Sequence, residues 1–149
     1  MVQSSGGGFG YTLVHAAQVW RTEASAALAP HELTVPQFLL VMALYRQHRH
    51  AWLPLTQAEV ALRLGMDANT TSQIARGLEA RGLIARSPHP DDARARALSL
   101  TPAGVDRAMA ASVAARAFND LFFSPITVAQ QELLAAILES LTEASEKRS

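Results

Sequence analysis

The spacing of apolar residues predicts a mainly helical chain. Along six segments, apolar residues recur every three or four positions, as they do on the buried face of an amphipathic helix. The predicted helices cover about residues 11–28, 35–48, 57–64, 68–81, 102–122 and 128–145. Between the fourth and fifth helices, apolar residues instead alternate with small or polar ones, which predicts two strands at about residues 83–87 and 96–100.

The residues that begin the predicted helices support this division. Thr34, Thr56 and Thr127 each stand three positions before a Gln or Glu, which is the spacing of a capping box. Thr101 precedes a proline suited to the first helical position, and Asp67 is a further candidate N-cap. No internal repeat or domain-splitting linker interrupts the pattern.

The third and fourth helices follow the pattern of a helix-turn-helix, with a tight turn at residues 65–67. On the fourth helix, one stripe is suited to burial and the opposite face is polar. The outward positions are Asn69, Thr70, Gln73 and Arg76. Asn and Gln pair bidentately with adenine and Arg with guanine in the major groove, so this face is a candidate reader of DNA. An ordinary helical hairpin with a solvated polar face is the alternative interpretation.

The segment after the fourth helix predicts a projecting β-hairpin. Pro88 and Pro90 enforce an extended, non-helical excursion. On the return strand, Arg96, Leu98 and Leu100 share one parity, and we expect the two leucines to face the core. A hairpin beside a recognition helix is a wing, and a plain solvated hairpin is the alternative.

The acidic and basic residues of this hairpin suggest how it meets DNA. Arg94 lies near the predicted tip, and Asp92, two positions earlier, is placed to accept a hydrogen bond from its guanidinium. An arginine held at a narrow tip suits the minor groove, where the negative potential is enhanced. The hairpin therefore predicts a minor-groove contact through Arg94, oriented by Asp92.

Composition narrows the class of protein. The chain has 149 residues, enough for one domain with a sizeable core, and its 13 basic residues balance 13 acidic ones. This neutrality argues against binding nucleic acid through bulk charge but permits a local basic patch. Lys147 is the only lysine; the arginine bias suits bidentate recognition, although high genomic GC content produces the same bias.

Cysteine and hydropathy exclude further classes. The sequence has no cysteine, so disulfides and thiol nucleophiles are excluded. It has no apolar run of about 18 residues, so we expect no membrane span. Residues 1–10 lack the apolar core of a secretory signal and are expected to form a short flexible arm. These features together predict a cytoplasmic protein.

The stretches "LTQAEVALRLGMDANTTSQIARGLEARGLIAR" and "PDDARARALSLTPAG" resemble the MarR family of bacterial transcriptional regulators. The resemblance covers nearly the whole chain, and its most specific part is the Asp-x-Arg of the wing followed by Leu-Ser-Leu-Thr-Pro. It implies a homodimer that binds a pseudo-palindromic operator in double-stranded DNA. Many members release DNA when a small phenolic or lipophilic anion binds between the dimer-forming and DNA-binding parts.

Site residues carry over by their place in the motif. The resemblance implies that Asn69, Thr70, Gln73 and Arg76 face DNA, with Arg94 in the minor groove and Asp92 orienting it. Many members have two adjacent arginines at the wing tip, and here the first is Ala93. Arg96 either compensates for that loss or pairs with a carboxylate of the protein.

The family also implies the division of the chain. We expect one MarR-like domain over residues 1–149, mainly α, with a small β-hairpin wing. Residues 1–33 would form the arm and first dimerisation helix, residues 34–101 the winged helix-turn-helix, and residues 102–149 the C-terminal dimerisation helices. Intramolecular packing is the alternative explanation for the apolar stripes of these terminal helices.

A ligand pocket is predicted between the first two helices. His15, Trp20 and Arg21 on the first helix, with Phe38 and Met42 on the second, would line an aromatic cleft. Arg21 would meet an anionic ligand. Plain core packing is the alternative for Phe38 and Met42, which are four residues apart.

Neither a metal site nor an enzyme is predicted. His48 and His50 fall in "RQHRH", which is better explained by cations at a helix C-terminus. No nucleophile elbow, phosphate loop or paired-carboxylate motif occurs, and no cofactor is implied. We therefore predict a dimeric, DNA-binding transcriptional regulator, most simply a repressor relieved by a small ligand. The alternative is a winged-helix module that binds proteins and never touches DNA.

Overall fold

A computed structural model describes residues 8–50 and 53–148. Over these residues the chain is mainly helical and carries a three-stranded antiparallel sheet. The helices are α1 Gly8–Leu28, α2 Val35–Arg49, α3 Gln57–Leu64, α4 Ala68–Ala80, α5 Pro102–Phe122 and α6 Val128–Glu146, and a 3-10 turn at Ala29–His31 follows α1. The strands are β1 Leu55–Thr56, β2 Ile84–His89 and β3 Asp92–Leu100, in the order β1-β3-β2.

All six predicted helices are confirmed, and one boundary, the start of the first helix, differs by more than one residue. The predicted arm is wrong at its C-terminal end, because α1 already begins at Gly8. There the Thr12 hydroxyl donates a hydrogen bond to the Gly8 carbonyl at 2.9 Å. Residues 1–7 of the predicted arm lie outside the described residues. The sixth helix ends near its predicted boundary, at Glu146.

The sheet is larger than the sequence predicts. Strand β1 was not predicted, because two residues are too few to show a period. Both hairpin strands reach beyond their predicted ends, and Pro88 pairs in register with Arg96. Proline is tolerated there because β2 is an edge strand, where a missing N–H faces away from the ladder.

The predicted helix caps form. Thr34, Thr56 and Thr127 each accept a hydrogen bond from the amide three residues later, in complete capping boxes. Asp67 accepts from the Thr70 amide at 2.8 Å. The Thr101 hydroxyl accepts from the Gly104 amide at 3.0 Å and donates to the Gly82 carbonyl at 2.6 Å. Local sequence therefore fixes where these helices begin.

Contacts divide the chain within α5 into two compact units, Met1–Ala115 and Arg116–Ser149, whereas the sequence placed a subdivision at Thr101. In the first unit, α2, α3, α4 and β3 contact one another around a shared apolar core. Its largest fully buried side chains are Leu40, Val41, Val60, Thr71, Leu78 and Leu98. The buried Thr71 hydroxyl is satisfied by donating to the Asp67 carbonyl at 2.9 Å.

The start of α5 is held against the rest of the first unit. The Thr101 amide donates to the Leu83 carbonyl at 3.1 Å, and Gly104 lies so close that an added Cβ would stand 1.9 Å from the same carbonyl oxygen. One turn later, Arg107 donates to the His31 carbonyl at 2.6 Å and pairs with Glu32 at 2.9 Å. These contacts fix the direction in which α5 leaves the wing.

The second unit contains the end of α5 and all of α6. Phe118, Phe122 and Phe123 form successive ring contacts. The Gln131 amide group donates to the carbonyls of Phe123 and Ile126, at 3.2 and 3.3 Å, and ties α6 to the preceding turn. The apolar stripe of α6 stays exposed: Leu133, Leu134, Ile137, Leu138 and Leu141.

None of the described helices alone combines the length and apolar character of a membrane crossing. The segments Gly8–His31 and Val35–Arg49, taken as one pair bent by 68°, meet the length and composition criteria together.

Candidate nucleic-acid interface

The turn between α3 and α4 orients the candidate recognition helix. Gly65 closes α3 in the left-handed conformation at φ 61°, a backbone geometry that glycine adopts without steric cost. The Met66 amide then donates to the Ala61 carbonyl at 3.0 Å, and Asp67 caps α4 two residues after the glycine. The turn is thus fixed by backbone geometry at Gly65 and by a side-chain cap at Asp67.

The α4 cap is electrostatically favourable. The Asp67 carboxylate accepts from the Thr70 hydroxyl at 2.5 Å as well as from the Thr70 amide. The hydroxyl bond, and then the amide bond, lowers the pKa of Asp67 below its ordinary value of 3.8. The carboxylate therefore stays charged at the positive end of the helix dipole, and the Thr70 hydroxyl hydrogen is engaged in the cap.

The predicted outward face of α4 is exposed. Asn69, Thr70, Gln73 and Arg76 are all solvent-exposed. On the opposite side, Thr71, Ala75 and Leu78 are fully buried. The side-chain amides of Asn69 and Gln73 and the guanidinium of Arg76 are thus exposed on a helix whose opposite face is buried. Base readout in the major groove requires this arrangement.

The hairpin formed by β2 and β3 projects next to α4. Arg86 on β2 links the two elements: its Nη2 donates to the Ser72 carbonyl at 3.3 Å, and its Nε lies 3.1 Å from a Glu79 carboxylate oxygen. Sequence reasoning missed Arg86, because only the folded chain brings residues so far apart in sequence together. These contacts of Arg86 join the base of the wing to the recognition helix.

The predicted bond between the Asp92 carboxylate and the Arg94 guanidinium is wrong. Asp92 instead accepts from the Arg94 backbone amide at 3.0 Å. This is an Asx turn, which Asp forms readily two residues before a backbone donor. In the part of the chain that the structure describes, the exposed Arg94 guanidinium has no hydrogen-bond or ion-pair partner. Asp92 shapes the backbone from which Arg94 projects and leaves its charge free.

Arg96 lies one pleat further along β3, opposite Pro88. It is exposed and forms no ion pair with any carboxylate of the described residues. Its free guanidinium is consistent with the first of the two predicted roles, compensation for Ala93. Of the two leucines predicted to face the core, Leu98 is fully buried and Leu100 is half-buried.

The predicted ligand residues differ in their exposure to solvent. His15 and Arg21 are exposed, and the His15 ring stacks on Tyr11 with 6.1 Å between ring centroids. Trp20, Phe38 and Met42 are half-buried. A cleft of about 360 Å³ lies elsewhere, lined by Leu44, Gln47, His48, Pro54, Leu98, Ser99 and Leu100. The ligand site on α1 and α2 stays a prediction.

Two histidines, His48 and His50, stand at the end of α2. His48 is exposed in the last turn of the helix beside Arg46 and Arg49, where cations complement the helix dipole. Across the described ranges, no three His, Asp or Glu side chains lie close enough to hold a metal ion together.

These elements define a winged helix-turn-helix: a capped helix, an adjoining hairpin, and exposed arginines on both. Residues 31–95 match the sequence model of the MarR family. The HTH-type transcriptional regulator YdcH of Bacillus subtilis is 30% identical, over 89% of this chain and 88% of its own. The HTH-type transcriptional repressor Rv2887 of Mycobacterium tuberculosis is also 30% identical, over 89% and 91%.

Solved structures agree with these sequence comparisons. A probable transcriptional regulator from Pseudomonas aeruginosa is 31% identical with a TM-score of 0.73, covering 89% of this chain and 96% of its own. Rv2887 in complex with DNA has a TM-score of 0.66 at 30% identity, over 89% and 95%. Rv2887 has also been solved with salicylic acid. The chain therefore belongs to the MarR family and is a transcriptional regulator of that family.

Proposed function

We propose that this regulator binds operator DNA directly, as a homodimeric repressor that a small aromatic anion releases. The observation that carries the proposal is the set of exposed amide and guanidinium groups on α4, beside a wing whose Arg94 guanidinium has no partner among the described residues. The relative Rv2887 has been crystallised with DNA, which supports this use of the fold. Asn69, Gln73 and Arg76 would read bases, Thr70 would assist them, and Arg94 and Arg96 would contact the backbone or minor groove.

Dimer formation is supported by apolar surface that single chains rarely leave in water. Ile137 is 49% exposed and Leu133 61% exposed on α6. On α1, Leu13 is 48% and Val14 56% exposed. Contiguous exposed apolar residues on helices typically mark an interface with another protein chain. A homodimer with two recognition helices would match a pseudo-palindromic operator, because operator symmetry mirrors protein symmetry.

Relief by a ligand is supported by the predicted residues on α1 and α2 and by the salicylic acid complex of Rv2887. Arg21 and His15 are exposed and would orient a carboxylate or phenolate, with Trp20, Phe38 and Met42 supplying apolar contact. A ligand that prefers the state unable to bind DNA shifts the population toward it. Titration with salicylate should therefore weaken operator binding, and Arg21→Ala should blunt that response.

A binding protein of this kind works where the chromosome is, so we also propose a cytoplasmic location and no catalytic activity. The alternative, a winged-helix module for protein partners, would favour acidic side chains on the outward face of α4. The face instead presents Asn69, Gln73 and Arg76, which are suited to bases.

The test is equilibrium binding of the purified protein to an operator obtained by selection from random duplexes. Gln73→Ala and Arg76→Ala should each cost about 1–3 kcal/mol of affinity and relax preference at particular base pairs. Arg46→Ala, a change in an exposed arginine at the end of α2, serves as the control. If both α4 variants keep full affinity and full sequence preference, α4 does not read DNA and the protein-partner alternative gains.

A further inference from the structure

The strand pairing of the wing becomes irregular near its tip. The pairing of β2 with β3 shifts register between Pro88 and His89. Pro88 and Pro90 have no amide hydrogen to donate to a neighbouring strand. Side-chain hydrogen bonds therefore have a larger part in ordering the tip from which Arg94 projects.

The His89 side chain makes two hydrogen bonds at this point. Its Nδ1 accepts from the Asp91 amide at 3.1 Å, and its Nε2 lies 3.1 Å from the Pro54 carbonyl oxygen. Because a backbone amide only donates, Nδ1 must be unprotonated, and Nε2 must then carry the hydrogen that reaches Pro54. One neutral tautomer of a half-buried imidazole thus satisfies both partners.

The far end of this link lies just before the helix-turn-helix. Pro54 directly precedes β1, in which Leu55 pairs with Leu98 and Thr56 pairs with Ala97 of β3. Thr56 is also the N-cap of α3. His89 therefore joins the tip of the wing to the residue that leads into the first helix of the DNA-binding motif, 35 positions earlier in the chain.

The near end of the link determines the path toward Arg94. His89 is the register partner of Asp92, and the Asp92 carboxylate accepts from the Arg94 amide at 3.0 Å. The bonds from Asp91 to His89 and from Arg94 to Asp92 follow one another around the turn. Together they fix the backbone at both ends of the short segment that carries the free guanidinium.

We propose that His89 is a positioning residue for DNA binding, which orders the wing tip and so presents Arg94 to the minor groove. The proposal rests on the DNA-binding function proposed above. His89 itself makes no contact with DNA in this scheme. It acts through the Asp91 amide and the Pro54 carbonyl, and its effect on affinity passes through Arg94.

Two substitutions of His89, each of which keeps one of its two hydrogen bonds, distinguish the contributions of those bonds. In His89→Asn, the side-chain oxygen replaces Nδ1 as an acceptor for the Asp91 amide. In His89→Gln, the longer side chain replaces Nε2 as a donor to Pro54. His89→Ala removes both, and His48→Ala changes an exposed histidine of the same unit as the control.

The first readout is hydrogen exchange of the full-length protein without DNA. His89→Ala should speed exchange of the amides of residues 91–95 about tenfold while α4 amides stay protected, because local opening is confined to the tip. His89→Asn and His89→Gln should lie between His89→Ala and the unmodified protein. Unchanged exchange at the tip in His89→Ala overturns the proposal, whether or not the protein binds DNA.

The second readout is operator affinity across a salt series. His89→Ala should lose about threefold to tenfold in affinity, the range expected for one or two net hydrogen bonds. In the background of Arg94→Ala it should lose nothing further, because residues acting through one group are not additive. Full additivity overturns the positioning role. If His89→Ala speeds exchange at the tip but Arg94→Ala leaves operator affinity unchanged, the proposed DNA contact of the wing is refuted instead. Failure of the His89 proposal and failure of the proposed DNA contact are therefore distinguishable.

Discussion

The chain as a whole is electrically neutral, but Arg94 carries a positive charge that is well placed to bind a partner. Its guanidinium is exposed and, among the described residues, unpaired, while its backbone amide is held by Asp92. A fixed backbone with a free cation lowers the ordering cost of binding while leaving the charge available. The negative potential of a narrow minor groove favours such a group.

We therefore expect Arg94→Ala to weaken operator binding, most strongly on sites flanked by narrow, A·T-rich grooves. Each phosphate contact releases counterions, so the salt dependence of log K should become shallower by about one unit. Fluorescence anisotropy across a salt series measures both quantities. Lys147→Ala removes the same charge outside the winged helix-turn-helix and should leave the slope unchanged; equal effects from the two variants would contradict a specific wing contact.

At this scale the sequence predicts solvent exposure well and long-range contacts poorly. The outward set of Asn69, Gln73 and Arg76 follows from helical geometry alone, because each position is fixed by its distance along one helix. The carbonyl partners of Arg86 and His89, on Ser72 and Pro54, lie 14 and 35 residues away, and no local period encodes such contacts. The Asp92 prediction identified the right residue and the wrong donor, because both the amide and the guanidinium of Arg94 lie within its reach in sequence.

Helices and turns are set largely by local chemistry. The Thr-x-x-Gln/Glu spacing gave three complete capping boxes, and Asp67 caps α4 as predicted. Strand β1 escaped prediction because its two residues exist as a strand only by pairing with β3. Helices, whose hydrogen bonds are internal to the element, can therefore be predicted from the sequence. A short strand such as β1 forms only through its pairing with another part of the fold.

Two glycines in neighbouring elements should respond oppositely to alanine. Gly104→Ala would place a methyl group 1.9 Å from the Leu83 carbonyl oxygen, so α5 or β2 must shift, at a cost of about 1–3 kcal/mol or more. Gly77 on α4 has no atom within 4 Å of an added Cβ. Gly77→Ala should therefore stabilise the fold by about 0.5–1 kcal/mol through helix propensity.

Urea unfolding of both variants measures the difference. Equal stabilities for the two variants would show that α5 does not approach Leu83 as described. If Gly77→Ala stabilises the protein yet weakens DNA binding, then the bare backbone at Gly77 makes room for phosphate. Unchanged affinity would make this glycine irrelevant to binding.

The α4 cap predicts a pH dependence. The hydrogen bonds from Thr70 lower the pKa of Asp67 in the folded protein below its ordinary value of 3.8. Such a group stabilises the fold above its unfolded pKa, and the contribution is lost as pH falls through the folded pKa. Asp67→Asn keeps an acceptor for the Thr70 amide but loses the charge.

The unmodified protein should therefore exceed Asp67→Asn in stability near pH 7. The difference should begin to shrink below about pH 4 and be lost as the pH falls through the lowered pKa of Asp67. Urea unfolding at a series of pH values tests this. Glu59 in the capping box of α3 also has a lowered pKa, because its carboxylate accepts hydrogen bonds from the Thr56 amide and hydroxyl. It is present in both proteins, so its contribution cancels. A stability difference that is constant across the series would count against a charged cap.

On the scale of the whole molecule, the terminal helices leave apolar side chains that a single chain does not cover. Ile137 lies in the middle of the α6 stripe and is 49% exposed. In the proposed homodimer this stripe is buried, so Ile137→Glu would place an unpaired charge in an apolar contact. We expect that variant to be monomeric or unfolded.

Light scattering at micromolar concentration reports the mass, and circular dichroism reports folding. Ala136→Glu introduces the same charge on the opposite side of α6, given about 3.6 residues per turn, and should stay dimeric. A monomeric unmodified protein, or two dimeric variants, would contradict an interface on this stripe.

The central claim is that this winged helix-turn-helix reads DNA sequence, and selection from random duplexes followed by binding to the enriched sequence tests it most directly. We predict enrichment of an inverted repeat whose half-sites are about one helical turn apart. Affinity for that sequence should exceed affinity for scrambled duplex by about a thousandfold or more and should fall steeply with salt. Enrichment of no common sequence, together with equal affinity for enriched and scrambled duplexes, would contradict the account.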